Sequence, residues 1–492
     1  MKVPLLLAFL AAALAAQAGI APARLAQASE EDRRFLAQAE KFYEQRRYKD
    51  ARDEFDHFIQ LNGKSEVAAY AQLRFGECAR QLHEWHGAIS AFRDVIDYFP
   101  ESVDAGRAQY LIGVCQQASG EEAQAVKSFE TTIAKWPKDE AALSARRDVC
   151  ALYWKQGKME KWVPHMESLA AVPEESDLPE YRPTAACRLL VYRIVEGKFE
   201  EARAHVEKVA GQDPLVTFAE SSLAVFQSGD FVQLYGDVVK EKLPGFAIAT
   251  VAFIEKQSPE LTAPPQRPRL DRLSARLLAQ AGAAKQAAAL YTHLVEDNPA
   301  NDGLRLEYAR SLRAAGQPSL ARPVYRAVRD RFVADEETAQ SFGEESDWKN
   351  CAEAYRALIA AYPDKAATSQ WALASVLHHQ LHQCADAIAA YRLSQREPEA
   401  RFCIAECQTE LKQYADALQT LIEVRENSRE DAPRAVYQMG CILSAKGDKE
   451  GAIRALKAAC IADSSSPWAK RAFDDLRNVY GLQVVSAPPR DR

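Results

Sequence analysis

The chain has 492 residues and a formal net charge of −7, from 62 basic and 69 acidic side chains. Hydrophobic residues make up 48% of it, a share that is typical of packed proteins and too high for a disordered chain. The acidic excess argues against general nucleic-acid binding, which requires a basic surface. Ala, Glu, Arg, Leu and Gln recur throughout, and because these residues lose little freedom in a helix, we expect a mostly α-helical protein.

Residues 1–18 are predicted to be a signal peptide. Lys2 precedes an apolar run from Val3 to Ala16, and Ala16-Gln17-Ala18 forms a small-x-small cleavage site. A second site of this kind ends at Ala28 and would move the cleavage to residue 28. The run is shorter than the roughly 20 residues of a membrane-spanning helix, although an uncleaved N-terminal anchor is an alternative. No cysteine lies near either site, so we expect a periplasmic or secreted protein without a lipid anchor or transmembrane helix.

The strongest signal in the first half is an internal repeat, in which residues of the same type recur every 37 residues. The recurring sets are Ala51, Ala88 and Ala125; Phe55, Phe92 and Phe129; Gly76 and Gly113; Cys78 and Cys115; and Pro100 and Pro137. Each unit is predicted to hold two helices. The first carries a small residue where its partner approaches, and the second offers a small residue and, one turn later, an aromatic one. Stacking of neighbouring units then completes a continuous core.

The second half repeats with slightly different spacing. Ala287 and Tyr291 recur 34 residues later as Ala321 and Tyr325. The small-then-large pair continues at Cys351–Tyr355, Ala387–Tyr391, Ala417–Leu421 and Ala452–Leu456. With the degraded units in the middle of the chain, the sequence predicts about twelve units.

These signals predict an N-terminal array over residues 29–256, with degraded units around 155–245, and a C-terminal array over 271–480 that ends in a capping helix. Residues 257–270 lie between them and contain Pro259, Pro264, Pro265 and Pro268. We predict that this stretch is a non-helical linker, with a long loop between stacked units as the alternative. Residues 481–492 are predicted to be a disordered tail.

The small residue of the first helix, the alanine and aromatic residue of the second and the closing proline resemble the tetratricopeptide repeat. The resemblance implies an all-α solenoid, a right-handed superhelix of about twelve stacked helix-turn-helix units whose first helices form a concave binding surface. The first three units, with Phe42-Tyr43, Gly76-Glu77-Cys78 and Tyr98-Phe99-Pro100, are similar to periplasmic repeats of the outer-membrane assembly lipoprotein and the TolA-binding cell-division coordinator. This similarity implies an envelope scaffold, although the lipobox cysteine of the lipoprotein is missing.

The leading hypothesis for function is a non-catalytic periplasmic adaptor that binds proteins or peptides, peripheral to the outer membrane if it follows these relatives. A binding module for an anionic envelope polymer or lipid head group is the alternative. The sequence contains no P-loop, no G-x-G-x-x-G, no G-x-S-x-G and no H-E-x-x-H. An enzyme of the lytic-transglycosylase type would need a separate catalytic domain, for which the repeats leave no room. We therefore predict no enzyme, no cofactor and no nucleic-acid partner, and leave the oligomeric state open.

Five arginines of the second half are the predicted partner-binding residues. They are Arg269, Arg272, Arg276, Arg310 and Arg313. The register of Ala287 and Ala321 places the first three on one first helix and the last two on the next, on the face that the resemblance directs into the groove.

The stretch from Arg267 to Arg331 is basic in a chain that is acidic as a whole. It holds twelve basic against six acidic side chains, a local excess of +6. Guanidinium groups match carboxylates and phosphates, so this surface is predicted to bind an acidic peptide or an anionic envelope component. The alternative is that these arginines pair with Asp271, Glu307 and their neighbours on a solvated face.

The ten cysteines are predicted mainly to fill the core, because free cysteine behaves as a small hydrophobic residue. Cys351 and Cys384 form the pair best placed for a disulfide. His378 and His382 lie near Cys384 at a spacing that zinc sites use. Since no carboxylate or further histidine completes the set nearby in the sequence, we predict no metal site.

Overall fold

A computed structural model describes residues 28–65, 67–173, 180–207, 213–262 and 264–482 of the chain. The predicted signal peptide and nearly all of the predicted tail lie outside these residues. Within the described ranges the regular elements are helical, with 26 α-helices and no strand. The predicted all-α solenoid of stacked helix pairs is confirmed.

The chain divides into two compact units, one within Met1–Val209 and Ser228–Asp237 and the other within Ala210–Gln227 and Val238–Arg492. The helices of the first half are α1 (Glu30–Glu44), α2 (Tyr48–Asn62), α3 (Ala68–Gln81), α4 (Trp85–Tyr98), α5 (Ala105–Ala118), α6 (Glu122–Lys135), α7 (Glu140–Lys155), α8 (Met159–Ala170), α9 (Tyr181–Val195), α10 (Phe199–Glu207), α11 (Pro214–Ser228), α12 (Asp230–Tyr235) and α13 (Leu243–Leu261). Those of the second half are α14 (Arg267–Gln280), α15 (Ala284–Asp297), α16 (Asp302–Ala314), α17 (Pro318–Arg326), α18 (Arg331–Glu344), α19 (Trp348–Ala361), α20 (Ala367–His379), α21 (Cys384–Leu393), α22 (Glu399–Glu410), α23 (Tyr414–Asn427), α24 (Ala432–Lys446), α25 (Lys449–Ala462) and α26 (Pro467–Asn478).

Helix pairs stack in sequence order within each unit. In the first unit α1 to α10 form five consecutive pairs, and in the second α14 to α25 form six. Helix α26 packs against α25 and α24 at the end of the array, where the capping helix was expected. The Ser466 side chain accepts a hydrogen bond from the backbone N–H of Ala469 at 3.1 Å and so caps the N-terminus of α26.

The repeat core is built as the sequence pattern predicts. Phe92 and Phe129 are fully buried, and each ring lies directly against a glycine of the preceding helix. A Cβ atom on Gly76 would lie 2.6 Å from the Phe92 ring, and one on Gly113 would lie 2.6 Å from the Phe129 ring. In each of these two pairs, only glycine allows the first helix to approach the phenylalanine of the second so closely. This explains why glycine recurs together with phenylalanine. Burial of each ring contributes about 2–3 kcal/mol to the stability of its unit.

The proline-rich stretch is more helical than its sequence suggests, so the prediction that 257–270 is non-helical throughout is wrong. Helix α13 continues to Leu261 with Pro259 in its last turn, and α14 begins at Arg267 with Pro268 in its first. Pro259 removes the N–H that would bond the Glu255 carbonyl, but the Ser258 hydroxyl donates to that oxygen at 2.9 Å instead. A proline in the first turn removes a donor that has no intrahelical acceptor. Between them lies a 3-10 turn, Pro264–Gln266.

The middle of the chain departs from the pair pattern in one place. The degraded unit around Trp162 and Met166 is a regular pair, α7 and α8, with both side chains buried. The part of the predicted 155–245 range near Leu234 is not a regular pair, because α12 ends at Tyr235 and a 3-10 helix, Asp237–Lys242, follows. Helix α13 buries Val251 and Ile254 in the second unit. Among the described residues, no helix combines the length and the apolar character needed to cross a membrane.

Candidate functional site

The first helices α14, α16 and α18 of the second unit are joined by arginine–glutamate pairs. Arg272 of α14 donates from Nε and Nη2 to the two carboxylate oxygens of Glu307 on α16, at 3.1 and 2.8 Å. The Tyr291 hydroxyl donates to the same carboxylate at 3.1 Å. This two-pronged geometry is the strongest form of an arginine–carboxylate pair, and it links one helix pair to the next.

Arginine–glutamate pairs also join the next two first helices, α16 and α18. Arg310 donates from Nε to Glu337 at 2.7 Å, and Arg313 donates from Nη2 to Glu344 at 2.6 Å. The Tyr325 hydroxyl donates to Glu337 at 2.6 Å. The hydrogen bond to Glu337 raises the pKa of Arg310, so its positive charge is further stabilised.

The remaining two predicted arginines lie on α14. Arg269 is half exposed and forms an ion pair with Glu220 of α11. Arg276 is exposed and makes no ion pair with any residue that the structure describes. The five arginines, which we call the arginine surface, thus lie on α14 and α16 as predicted. Four of them form ion pairs with glutamates. This is close to the alternative prediction, in which the arginines pair with Asp271, Glu307 and their neighbours. Asp271, however, pairs with Arg267.

A second charge network, in the first unit, was not found from the sequence. Arg74 of α3 donates to Glu40 of α1 and to Glu77 on its own helix, each at 2.6 Å, and Arg107 of α5 reaches Glu77 at 2.8 Å. Glu40, Arg74 and Glu77 are all buried. We call these four residues the buried network. The two contacts between helices join residues that are 34 and 30 positions apart in the sequence, so only the stacking of the first helices reveals the network.

The cysteines differ in part from expectation. All ten lie among the described residues and are free thiols, so the bridge between Cys351 and Cys384 is not formed. Most are buried or half-buried as predicted, but Cys441 is exposed. Burial raises the pKa of Cys384 to about 11, so this thiol is protonated at neutral pH and is not an activated nucleophile.

The histidine cluster has more neighbours than its sequence context suggests. The side chains of His378, Cys384 and Cys407 bring a ring nitrogen and two sulfur atoms within 4.8 Å of one another. Glu410 lies against two of them, 3.2 Å from His378 Nε2 and 3.0 Å from Cys384 Sγ. A carboxylate therefore does lie beside the cluster. It belongs to α22, the first helix of the next pair, 32 residues after His378.

Stacked two-helix units, with a small residue of the first helix against an aromatic residue of the second, define an all-α repeat scaffold. The tetratricopeptide repeat family matches residues 70–102 and 107–139, which correspond to the pairs α3–α4 and α5–α6. The chain therefore contains tetratricopeptide repeats. Such repeats generally mediate protein–protein interactions, and a scaffold for such interactions is the class of function that they indicate.

Solved structures with a similar course of helices include a complex described as Naa15/Naa10 bound to HypK-THB, with 13% identity, 92% coverage of this chain and 71% of that one, and a TM-score of 0.38. The APC/C hetero-tetramer Cut9-Hcn1 matches at 11% identity over 91% of this chain and 96% of that one, with a TM-score of 0.27. Yeast Tom70 matches at 10% identity over 86% and 96%, with a TM-score of 0.28. These TM-scores are too low to indicate a shared function. No curated protein matches the chain.

Proposed function

We propose that the protein is a non-catalytic scaffold exported to the bacterial periplasm, where it binds an acidic segment of another protein. The observation that carries this proposal is the arginine surface, five guanidinium groups on two successive first helices. First helices of successive pairs lie side by side, so their side chains form a continuous row that an extended peptide could follow.

The arginine surface retains donors for a partner. Arg276 is exposed, so a carboxylate could pair with it without displacing a glutamate of the chain. Arg310 is half exposed and uses Nε and Nη2 for Glu337, which leaves the Nη1 donors for a ligand. Glu337 holds the Arg310 side chain in a fixed position, and a fixed guanidinium loses less conformational freedom when a ligand binds.

A labelled peptide of eight glutamates is a suitable probe. The variant with Arg272, Arg276, Arg310 and Arg313 changed to Ala should bind it about tenfold or more weakly, and the dependence of its affinity on salt should flatten. Circular dichroism should show unchanged helicity. The matched control is Arg356→Ala on α19, where a half-exposed arginine pairs with Asp386 outside the arginine surface.

Two results would count against this proposal. One is unchanged peptide affinity in the four-alanine variant. The other is a peptide footprint, by hydrogen exchange, on α1 to α6 instead of α14 to α18. Stronger binding of polyphosphate or of vesicles containing anionic lipid than of the peptide would favour the alternative ligand, an anionic envelope component.

Export is tested separately. Protein recovered from the periplasm should have an intact mass that corresponds to loss of the first 18 or the first 28 residues, as Lys2, the apolar run and the two small-x-small sites predict. A full-length species confined to the cytoplasm would exclude the periplasmic part of the proposal while leaving the peptide binding open to its own test.

A further inference from the structure

Four potential metal ligands meet where two successive helix pairs of the second unit touch. His378 is in the last turn of α20, Cys384 is the first residue of α21, and Cys407 and Glu410 are in the last turn of α22. The turn between α20 and α21 brings the first two together. The stacking of the next pair then adds the other two. The cluster is separate from the arginine surface, and nothing in the proposed function depends on it.

We propose that His378, Cys384 and Cys407 bind a zinc ion, with Glu410 as the fourth ligand. One imidazole, two thiols and one carboxylate are all ligand types that zinc uses, and four of them allow the tetrahedral coordination typical of structural sites. When zinc binds, each cysteine loses its S–H proton to solvent and forms a sulfur–zinc bond, so two protons are released for each ion bound.

The distances suit such a site before any ion is present. In a tetrahedral zinc site, neighbouring ligand atoms are about 3.3–3.8 Å apart, given zinc–nitrogen and zinc–sulfur bonds of about 2.1 and 2.3 Å. Glu410 Oε1 is 3.2 Å from His378 Nε2, and Glu410 Oε2 is 3.0 Å from Cys384 Sγ. The ring nitrogen and the two sulfur atoms lie within 4.8 Å of one another, so an ion needs to draw them in by no more than about 1.5 Å.

The surroundings resemble those of a closed site that an ion enters from one side. The His378, Cys384 and Cys407 side chains are buried, whereas that of Glu410 is 51% exposed and separates the cluster from solvent. The Tyr391 hydroxyl lies 3.5 Å from His378 Nδ1. Zinc-bound histidine usually donates its second ring N–H to an oxygen, and the Tyr391 hydroxyl is the oxygen beside Nδ1, where it would orient Nε2 toward the ion.

A zinc ion here would join α20, α21 and α22, and thereby tie one repeat to the next. In an array of repeats, stability depends on the interfaces between neighbours. Binding to the folded state alone stabilises that state in proportion to the logarithm of the zinc concentration. We therefore assign the site a structural role, since all four positions are filled by protein ligands.

The test uses the full chain, reduced with a phosphine, stripped with a chelator and titrated with zinc chloride. We expect one zinc per chain by atomic emission, a higher melting temperature, and a near-ultraviolet sulfur-to-metal charge-transfer band when cobalt(II) replaces zinc. Cys384→Ser and Cys407→Ser should each weaken zinc affinity by about 100-fold or more, and Tyr391→Phe by about tenfold. Glu410→Gln, at an exposed position, should also weaken affinity without affecting folding.

The matched control is Cys115→Ser, because Cys115 is a buried first-helix cysteine of α5 at the repeat position that Cys407 occupies in α22. This variant should bind zinc like the unmodified chain. The proposal is overturned if the reduced chain takes up no zinc, or if Cys384→Ser and Cys407→Ser bind it as the control does. A disulfide between Cys384 and Cys407, found by peptide mapping, together with no zinc uptake after reduction, would also overturn it. The cobalt spectrum of the unmodified chain decides the matter even if a serine variant fails to fold.

Discussion

The buried network of the first unit and the arginine surface of the second make the same kind of contact but differ in how far their side chains are buried. Both link first helices of successive pairs through arginine and glutamate. Arg74 and Glu77 are withdrawn from water, whereas Arg310 remains half exposed. A buried ion pair is destabilised greatly when one partner is removed, and an exposed pair only slightly. The same residue types should therefore serve stability in the first unit and leave room for binding in the second.

The cores beside these charges differ in a related way. In the first unit a glycine of the first helix meets a phenylalanine of the second, as in Gly113 and Phe129. In the pair α16–α17 of the second unit the corresponding residues are Ala309 and Tyr325, which lie in one buried cluster. The tyrosine hydroxyl reaches Glu337 at the edge of the core, where it donates a hydrogen bond at 2.6 Å. A glycine with a phenylalanine thus accompanies the buried charges, and an alanine with a tyrosine accompanies the more exposed ones.

The largest expected effect is that of Arg74→Ala. It leaves the carboxylates of Glu40 and Glu77 buried without their common partner, which should cost roughly 3–5 kcal/mol. Native-state hydrogen exchange should show lost protection in α1 to α6. Helices α14 to α19 of the same sample serve as the internal control, because repeats contact only their neighbours. Equal loss of protection in both sets of helices would show that the network does not act locally.

A pH titration tests the buried network without changing its geometry. Burial by itself raises the pKa of Glu77, but Arg107, Arg74 and Arg80 lower it to about 2. The folded pKa is below the ordinary value of about 4.3, so the stabilisation is complete above that pH and is lost as the pH falls toward 2. The loss should be roughly 3 kcal/mol. Pulsed hydrogen exchange on α3 to α5 measures it, and in Glu77→Gln this part of the pH dependence should disappear.

The contact between glycine and phenylalanine is tested by placing an alanine in α5, as in α16 of the second unit. In Gly113→Ala the new Cβ would lie 2.6 Å from the Phe129 ring, so the helices must separate at a cost of about 1–3 kcal/mol. Gly87→Ala is the matched control, since the nearest atom to its Cβ is 4.0 Å away, and it should be neutral or slightly stabilising. If thermal unfolding shows no difference between the two variants, the contact of Gly113 with Phe129 does not require glycine.

The sequence predicted the repeat because each unit encodes its own two helices. In each second helix a small residue is followed one turn later by an aromatic residue, as in Ala88 and Phe92. This pair recurs at a fixed spacing along the chain, so the sequence shows it directly. The proline-rich stretch was predicted to be non-helical because proline is unfavourable in a helix interior. Proline is tolerated in the first turn of a helix, where Pro268 lies. Pro259 is tolerated because the Ser258 hydroxyl bonds the carbonyl that proline leaves without a donor. The irregular helices around α12 lack the period, so their course could not be predicted from it.

The candidate sites depend on contacts between successive helix pairs, which a pattern within one pair does not show. The sequence located the arginine surface because the repeat register assigns a helix face to each residue. It could not show that Glu337 holds Arg310 and Arg313, since the glutamate lies on α18 and the arginines on α16, in successive helix pairs. Likewise Glu410 lies far from His378 in the sequence and next to it in the fold.

The smallest expected effect is that of Arg310→Ala, and it is the sharpest test of the comparison. The side chain is 54% exposed, and Glu337, its partner, keeps hydrogen bonds from Arg313 and Tyr325. No carboxylate is therefore left without a donor, and the loss of stability should stay within about 1 kcal/mol by chemical unfolding. The same change should weaken binding of the eight-glutamate peptide severalfold, because it removes the free Nη1 donors of Arg310 from the arginine surface. A stability loss as large as that of Arg74→Ala would remove the distinction between the two networks. Unchanged peptide affinity would instead assign Arg310 to the solvated surface alone.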